Sequence, residues 1–336
     1  MKVLVTGGAG YIGSTTASAL EDAGHTPIIL DSLIRGRREY AVRYPFYEGD
    51  IADRELLGRI FREHPDIGAA LHFAALIVVP ESVAHPYLYY HENVVKSLEL
   101  FRALGELGCK RIIFSSSASI YGSNTGADFE VSEDTPHAPD SPYARTKHMI
   151  EMMLEDMSRA LHFRSIALRY FNPIGADPAM RTGPYDEAPT HVLDILADVA
   201  SGRIPIFRIT GVDWPTRDGS GIRDYLHVWD LARAHVLAVE RFEAAFDAFG
   251  GDYIPINLGS GRGVTVRELV AAFETVWGRP IPKEEAPPRD GDVAGAYASA
   301  DRAARLLGWK TELSLTQTIA DALRWVHEVR PRMLGY

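Results

Sequence analysis

Residues 3–13 of the chain read Val3-Leu4-Val5-Thr6-Gly7-Gly8-Ala9-Gly10-Tyr11-Ile12-Gly13. A short apolar run leads directly into three glycines with the spacing G-x-x-G-x-x-G, which is typical of a buried strand that turns into a helix. Glycines at these positions permit a tight turn and a close approach of a pyrophosphate, and the helix N-terminus favours the anion. The motif predicts a dinucleotide site, although taken alone it also fits a turn with a purely structural role.

Asp31 ends the next apolar run, about 20 residues further on, where dinucleotide-binding proteins place an acidic residue. A carboxylate there hydrogen-bonds the ribose hydroxyls of NAD and repels the additional phosphate of NADP. The alternative is a plain turn residue. Arg35, Arg37 and Arg38 follow, and an arginine there can accommodate a 2′-phosphate, but we interpret all three as a solvated loop. The expected cofactor is therefore NAD.

Apolar runs alternate with helical stretches through the first half of the chain. The predicted strands are 3–6, 27–30, 46–48, 69–73, 111–115 and 164–169. Amphipathic segments lie between them, such as 53–63, for which Asp53 is the expected N-cap. This alternation predicts an α/β protein with a Rossmann-like doubly wound parallel sheet, followed by a smaller C-terminal α/β substrate domain.

Two loops of the predicted sheet extend the dinucleotide site. Asp50 follows the third strand, where a carboxylate can accept the adenine amino group, although a bare turn is the alternative. His72-Phe73-Ala74-Ala75 follows the fourth strand, and its small residues suit a loop across the cofactor. We expect His72 to be a packed core histidine and not a ligand.

The pattern weakens after Asn172, which suggests a division of the chain. Residues 1–172 are expected to form the NAD-binding domain, to which about 224–258 returns, while 173–223 and 259–336 form mainly the substrate-binding lobe. One helix is predicted at 192–200 in a region rich in Pro, Gly and Asp. Two later helices are each predicted to open with a capping box, formed by Thr265 with Glu268 and by Ser314 with Gln317.

Composition excludes several classes of protein. Hydrophobic residues make up 46% of the 336 residues and charged residues 24%, which leaves no case for extended disorder. A net charge of −10 argues against a nucleic-acid partner. One cysteine excludes an intrachain disulfide, and no signal peptide or apolar run of roughly 18 residues is present. We expect a cytoplasmic protein without membrane contact.

Tyr143 and Lys147 form a Y-x-x-x-K pair, whose spacing places both side chains on one face of a helix. A lysine ammonium beside a phenol stabilises the phenolate, so we expect a lowered pKa of Tyr143 and a usable general base. Such pairs also occur by chance. Pro142 suits a helix start, and a serine-rich run, 114–122, lies upstream. Because ligands bind at the carboxyl ends of parallel strands, the serine hydroxyls should face the site.

Together these motifs resemble the extended short-chain dehydrogenase/reductase family and, within it, the UDP-glucose 4-epimerases. The resemblance spans essentially the whole chain. Its markers are T-G-G-A-G-Y-I-G from Thr6, F-S-S-S-A-S-I-Y-G from Phe114, S-P-Y-A-R-T-K from Ser141, L-R-Y-F-N-P-I-G-A from Leu168, D-G-S-G-I-R-D-Y-L-H-V from Asp218 and P-R-D-G-D from Pro288.

The resemblance implies a set of site residues and no metal. Ser117, Tyr143 and Lys147 are the implied catalytic residues. The implied cofactor contacts are Gly7, Gly10, Tyr11, Ile12, Gly13, Asp31, Asp50, Ile51, Phe73, Ala74, Ala75, Asn93, Ser115, Tyr143, Lys147 and Tyr170. The implied substrate contacts are Ser117, Tyr143, Phe171, Asn172, His191, Arg223, Arg289, Asp292 and Ala296. In this set Arg223 and Arg289 hold the UDP diphosphate, as an anionic substrate requires.

The resemblance also implies an activity and a partner. The expected reaction is 4-epimerisation of a UDP-hexose through a 4-keto intermediate, with NAD regenerated in every cycle. Helices near 87–107 and 143–160 resemble the pair that forms a homodimer in the family. The alternatives are another nucleotide-sugar dehydrogenase, reductase or decarboxylase, and a dinucleotide-sensing regulator. Such regulators commonly lack the tyrosine or the lysine, and both are present here.

Several positions depart from the patterns of this family. Dehydratases carry an acidic pair where this chain has Ala118 and Ser119, so no acid is present there to expel a hydroxyl. Ile77 stands where many epimerases have a lysine near the cofactor, which bears on NAD retention. His191 stands where an asparagine is frequent, and Ser299 where an Asp is usual.

The expected hexose range rests on Ala296. In the resembling epimerases, the residue four positions after the Asp of P-R-x-G-D lies beside the sugar C2 substituent, and here that residue is Ala296. A small side chain leaves room for an N-acetyl group, so we expect UDP-N-acetylglucosamine and UDP-N-acetylgalactosamine to be accepted as well. The alternative is that Ala296 only packs a loop and Tyr297 fills the space.

Overall fold

The computed structural model describes residues 1–122, 128–186, 189, 191–288 and 293–333. Its strands are β1 Lys2–Thr6, β2 Thr26–Asp31, β3 Phe46–Glu48, β4 Ile67–His72, β5 Arg111–Ser117, β6 Glu130–Val131, β7 Arg164–Tyr170, β8 Asn172–Ile174, β9 Phe207–Thr210, β10 Ile222–Arg223, β11 Tyr225–His227, β12 Tyr253–Leu258, β13 Val264–Thr265, β14 Lys283–Ala286 and β15 Gly295–Ala298.

The helices alternate with these strands. They are α1 Tyr11–Asp22, α2 Arg38–Ala41, α3 Arg54–Glu63, α4 Val79–Ala84, α5 Pro86–Tyr89, α6 Lys96–Glu106, α7 Pro142–Ala160, α8 Val192–Ala200, α9 Val228–Glu240, α10 Phe242–Phe249, α11 Val266–Trp277, α12 Asp301–Leu307, α13 Leu315–Arg324 and α14 Arg330–Met333. A 3₁₀ turn covers Ala118–Tyr121, and π-helical segments cover Tyr90–Val95 and Trp325–Val329.

Seven parallel strands form the main sheet, in the order β12-β7-β5-β4-β1-β2-β3. This is the strand order of a doubly wound dinucleotide-binding sheet, so the predicted fold class is confirmed. Every predicted strand is present, with ends shifted by one or two residues. β5 extends to Ser117, so the serine-rich stretch reaches the carboxyl end of this strand.

The smaller sheets are formed mostly by strands that follow β7 in the chain, with β6 as the exception. They include a four-stranded sheet, β13-β10-β15-β6, and two-stranded sheets β11-β8 and β14-β9. Helices α8, α11 and α13 share a second apolar core with β9, while β12, α9 and α12 pack into the core of the main sheet. The division of the chain into two lobes stays a prediction. Helix α12, which lies in the range assigned mainly to the substrate-binding lobe, packs against β12 of the main sheet.

The glycine turn after β1 brings backbone against backbone. Gly7 has a φ of +73°, and a Cβ there would lie 2.6 Å from the amide nitrogen of Ala74. A Cβ on Gly13 would lie 2.3 Å from the carbonyl oxygen of Gly7. Only glycine fits at either position, which explains the spacing found in the sequence.

Most of the predicted helix starts are confirmed. The Asp53 carboxylate caps α3, and Thr265 with Glu268 forms the predicted capping box of α11. At α13 the Ser314 hydroxyl accepts the Gln317 N–H, but the Gln317 amide donates to Asp321 instead of completing a box. The predicted helix at 87–107 is interrupted, because a π-helical segment separates α5 from α6.

Gly13→Ala tests the close packing of the turn. We expect the midpoint of thermal unfolding to fall, because relieving an overlap of this kind costs about 1–3 kcal/mol. Circular dichroism melts would measure it. Gly58→Ala in the middle of α3 is the matched control, since its Cβ would meet only the flexible Arg62 side chain, at 3.3 Å. A Gly13→Ala protein as stable as the parent would contradict the packing described here.

Candidate active site

Helix α7 positions the predicted tyrosine and lysine at the carboxyl end of β5. The Ser141 hydroxyl accepts the N–H of Ala144, and Pro142 occupies the first turn, so the helix begins just before Tyr143. Lys147 follows one turn later and is only 2% exposed. Its Nζ donates to the carbonyl of Ser115 at 2.8 Å and lies 5.9 Å from the centre of the Tyr143 ring.

Burial dominates the ionisation of both groups. It lowers the pKa of Lys147 to about 7, against the opposing effect of the Glu151 charge. It also raises the pKa of Tyr143, while a hydrogen bond from Ser117 acts in the lowering direction. The expectation of a lowered Tyr143 pKa was therefore wrong for the protein alone, because desolvation of a phenolate outweighs its partners here.

A buried ion pair behind the serine strand was not predicted. Glu151 and Arg169 are each 3% exposed, and the guanidinium donates to both carboxylate oxygens, the closest contact being 2.6 Å. Glu151 also accepts from Ser116, and from the Tyr253 hydroxyl at 2.8 Å. The pair therefore connects α7 to β5, β7 and β12. The sequence feature that could have indicated Glu151 is its position four residues after Lys147, on the same face of the predicted helix.

The glycine turn fits a dinucleotide pyrophosphate. No side chain caps the start of α1 and no acidic residue lies in its first turn, so the first N–H groups of the helix can meet an anion. Asp31 stands beside the turn at the end of β2, where its carboxylate accepts the N–H of Ala9 at 3.0 Å and that of Leu33 at 2.8 Å. Burial raises the pKa of Asp31 despite these two bonds.

Other predicted cofactor residues are held by the protein itself. The Tyr11 hydroxyl donates to the carbonyl of Gly175 at 2.6 Å. The Asn93 amide is bonded to both backbone groups of Leu76, which fixes the loop after β4. Asp50 accepts from the N–H of Ala52 and from Lys96. Their contacts with a cofactor stay predictions.

The remaining predicted cofactor residues lie around the same sheet edge. Ser115 and Tyr170 bond to each other through their hydroxyls. Phe73 packs against His235, with ring centres 4.7 Å apart, and Ile51 is buried in the core. His72 is 1% exposed and bonded to Thr6 and Ser97, which confirms the prediction that it is a packed core histidine.

A cavity of about 210 Å³ lies beside β8 and the start of α8. Three predicted substrate residues, Asn172, His191 and Arg223, line it. Arg223 donates to the carbonyls of Ile222 and Ala294, at 2.7 and 3.0 Å, which places its guanidinium beside the segment that follows residue 292. Arg289 and Asp292 lie outside the described residues.

The other two substrate predictions meet at one apolar cluster. Phe171 and Ala296 both pack against buried Ile120 and Tyr121, next to Ala118 at the end of the serine strand. Ala296 also stands directly opposite Arg223 in the ladder between β10 and β15. Ala296 therefore lies next to both this apolar cluster and the strand that carries Arg223.

Two further residues shape this region and were not singled out from the sequence. The Asp224 carboxylate is buried and accepts from the N–H and hydroxyl of Ser260 and from the N–H of Ala298. Gly295 has a φ of +118°, and a Cβ there would lie 2.3 Å from the Arg223 guanidinium. The sequence feature that could have indicated Asp224 is its position directly after Arg223.

Within the part of the chain that the structure describes, no cluster of three or more His, Cys, Asp or Glu side chains could hold a metal ion. None of the described helices is both long enough and apolar enough to span a bilayer.

Known proteins resemble this chain over almost its whole length. A UDP-glucose 4-epimerase of Azospirillum brasilense is 44% identical over 326 residues, covering 96% of this chain and 91% of its own. A structure of UDP-glucose-4-epimerase from Stenotrophomonas maltophila, with bound NAD and formylated UDP-arabinopyranose, superposes with a TM-score of 0.92 at 38% identity, covering 99% of both chains. The UDP-Glc/GlcNAc 4-epimerase of Campylobacter jejuni superposes with a TM-score of 0.81 at 33% identity, covering 96% of this chain and 98% of its own.

The family model of the NAD dependent epimerase/dehydratase family matches residues 3–253, which include the glycine turn, the serine strand and the catalytic helix. The chain therefore belongs to the NAD dependent epimerase/dehydratase family.

Proposed function

We propose that this protein is an NAD-dependent UDP-glucose 4-epimerase that interconverts UDP-glucose and UDP-galactose. The observation that carries the proposal is the position of the Tyr143 and Lys147 pair beside the end of β5, in a sheet whose first strand ends in the glycine turn. The cavity lined by Arg223 supports it. The relatives named above supply the substrate class.

Tyr143 takes the proton from the sugar 4-hydroxyl and later returns it. Ser117, bonded to Tyr143, positions that hydroxyl. The Lys147 ammonium stabilises the phenolate as it forms, and because burial lowers the pKa of Lys147 to about 7, this contribution is lost as the pH rises through neutrality. Bound NAD would supply the redox chemistry, as acceptor and donor of the C4 hydride, and the glycine turn and Asp31 would hold it.

The sugar must turn between the two transfers while the nucleotide stays in place. Arg223 and Arg289 are the proposed anchors of the diphosphate, with Asn172, His191 and Asp292 as further contacts. We assign the dinucleotide to residues 1–172 with 224–258, and the UDP-sugar mainly to 173–223 and 259–336. The single cysteine, Cys109, is buried, which is consistent with a cytoplasmic protein.

Tyr143→Phe should lower kcat by roughly 10²- to 10⁴-fold, because the general base is lost while UDP binding survives. The assay is conversion of UDP-galactose to UDP-glucose, followed by product separation. Tyr44→Phe is the matched control, since its hydroxyl bonds to Glu21 at the opposite end of α1. Near-normal turnover in Tyr143→Phe would exclude Tyr143 as the base. A net rise in NADH absorbance with the unmodified protein would favour a dehydrogenase instead.

The hexose range is proposed to include N-acetylated sugars. Ala296, like Ala118 and Phe171, packs against the buried cluster of Ile120, Tyr121 and Val131, and its side chain is smaller than any aromatic residue at that position would be. Ala296→Tyr should depress kcat/KM for UDP-N-acetylgalactosamine selectively, by more than the roughly 1–3 kcal/mol that a small pocket misfit costs. Rates with UDP-galactose serve as the internal control. Equal loss on both substrates, or no turnover of the N-acetylated sugar by the parent, would refute this range.

A homodimer is the proposed assembly. Neighbouring helices α5, α6 and α7 expose large apolar side chains, including Tyr87 (81%), Leu98 (40%) and Met152 (54%). Leu98→Glu combined with Met152→Glu should convert the dimer to a monomer, measured by light scattering after gel filtration. Val42→Glu, at an equally exposed site near α2, should leave the dimer intact. A monomeric parent protein at micromolar concentration would exclude the proposal.

A further inference from the structure

Each of the three arginines that follow Asp31 has a partner. Arg38 forms an ion pair with Glu48, and the Arg37 guanidinium lies 5.4 Å above the centre of the Tyr185 ring. The Nη2 of Arg35 donates to both carboxylate oxygens of Glu81, at 2.8 and 3.0 Å. The interpretation of these residues as a merely solvated loop is therefore incomplete.

The loop that carries Arg35 folds back onto Asp31. The N–H of Leu33 donates to Asp31, and a Cβ on Gly36 would lie 2.8 Å from the Asp31 carboxylate. Arg35 is the neighbour of Gly36, so its long side chain can reach the ribose that Asp31 is proposed to bind. An arginine in this position is the usual partner of the 2′-phosphate of NADP.

In the structure the Arg35 side chain is instead bonded to Glu81. Glu81 lies on α4, which follows β4, whereas Arg35 follows β2, and β1 with its glycine turn lies between these two strands. The Glu81 carboxylate is held in place by the hydroxyl of buried Tyr89, at 2.9 Å. The side chain of Glu81 is 27% exposed and that of Arg35 is 60% exposed, so Glu81 is the more fixed partner.

We propose that Glu81 is a specificity-determining residue for the dinucleotide: by binding Arg35 across the glycine turn, it withholds the guanidinium from the position of a 2′-phosphate. This inference rests on the proposed function as an NAD-dependent enzyme. Selection of NAD then has two separable parts. The Asp31 carboxylate repels the phosphate, and Glu81 removes the cation that would bind it.

The test compares bound dinucleotides, so it does not depend on turnover. The holoenzyme is equilibrated with equal concentrations of NAD and NADP until the ratio of bound species, read by native mass spectrometry, is constant. Glu81→Ala should raise the ratio of bound NADP to NAD by about two- to fivefold, because the guanidinium no longer has to leave an exposed ion pair to reach the phosphate. Tyr89 keeps its bonds to the backbone of Val78 in this variant, so no buried hydroxyl loses its last partner.

Two further variants make the result specific. Glu81→Ala with Arg35→Gln should return the ratio to the parent value, because the gain requires the released guanidinium. Glu48→Ala releases Arg38 in the same way and should leave the ratio unchanged, which controls for the loss of a carboxylate. The same series in an Asp31→Ser background should give the same factor on a higher starting ratio.

Either of two outcomes would overturn the proposal. One is an unchanged ratio in Glu81→Ala in both backgrounds, and the other is a gain that persists without Arg35 or that Glu48→Ala reproduces. Epimerase activity of the parent with UDP-galactose is assayed in parallel. An inactive parent that still binds NAD would contradict the proposed reaction and leave the assignment of Glu81 to be judged by the ratios alone.

Discussion

The glycine turn after β1 fixes how three parts of the chain pack together: the end of β1, the start of α1 and the loop after β4. Backbone atoms of Gly7, Gly13 and Ala74 lie so close that a single added carbon at either glycine would overlap its neighbour. The start of α1 is held against the end of β1, with its first N–H groups uncovered by side chains. Since β2 and β4 flank β1, the loops after them meet above the turn. The dinucleotide site is the space that these contacts leave.

A second constraint acts on the catalytic side of the sheet. The carboxylate of Glu151 and the guanidinium of Arg169 are both removed from water, and each has several hydrogen-bond partners. Leaving one buried charge unpaired costs about 3–5 kcal/mol. A shift of α7 along β5 or β7 would separate the pair, so such shifts are strongly disfavoured. Tyr143 and Lys147 lie on the same helix, so their positions relative to the end of β5 are fixed as well.

Local sequence patterns predicted the elements that build the site. Alternation of apolar runs was sufficient for six of the seven strands of the main sheet, all except β12, because fully buried parallel strands must be apolar on both faces. Long-range partners were not predictable in this way. The bond between Glu81 and Arg35 joins residues 46 positions apart, and that of Glu151 with Tyr253 joins residues 102 apart. Nor does spacing reveal desolvation, which reversed the expected shift in the pKa of Tyr143.

The parallel ladder that joins β10 and β15 has an evolutionary consequence. Arg223 and Ala296 are opposite each other in it, and the strands are joined through backbone groups. A mutation that enlarges or shrinks the side chain at position 296 leaves those backbone groups in place, and with them the strand that carries the arginine. Under the proposed hexose range, evolution could therefore change the accepted sugar by substitutions at one codon, while the strand that carries Arg223 keeps its backbone ladder.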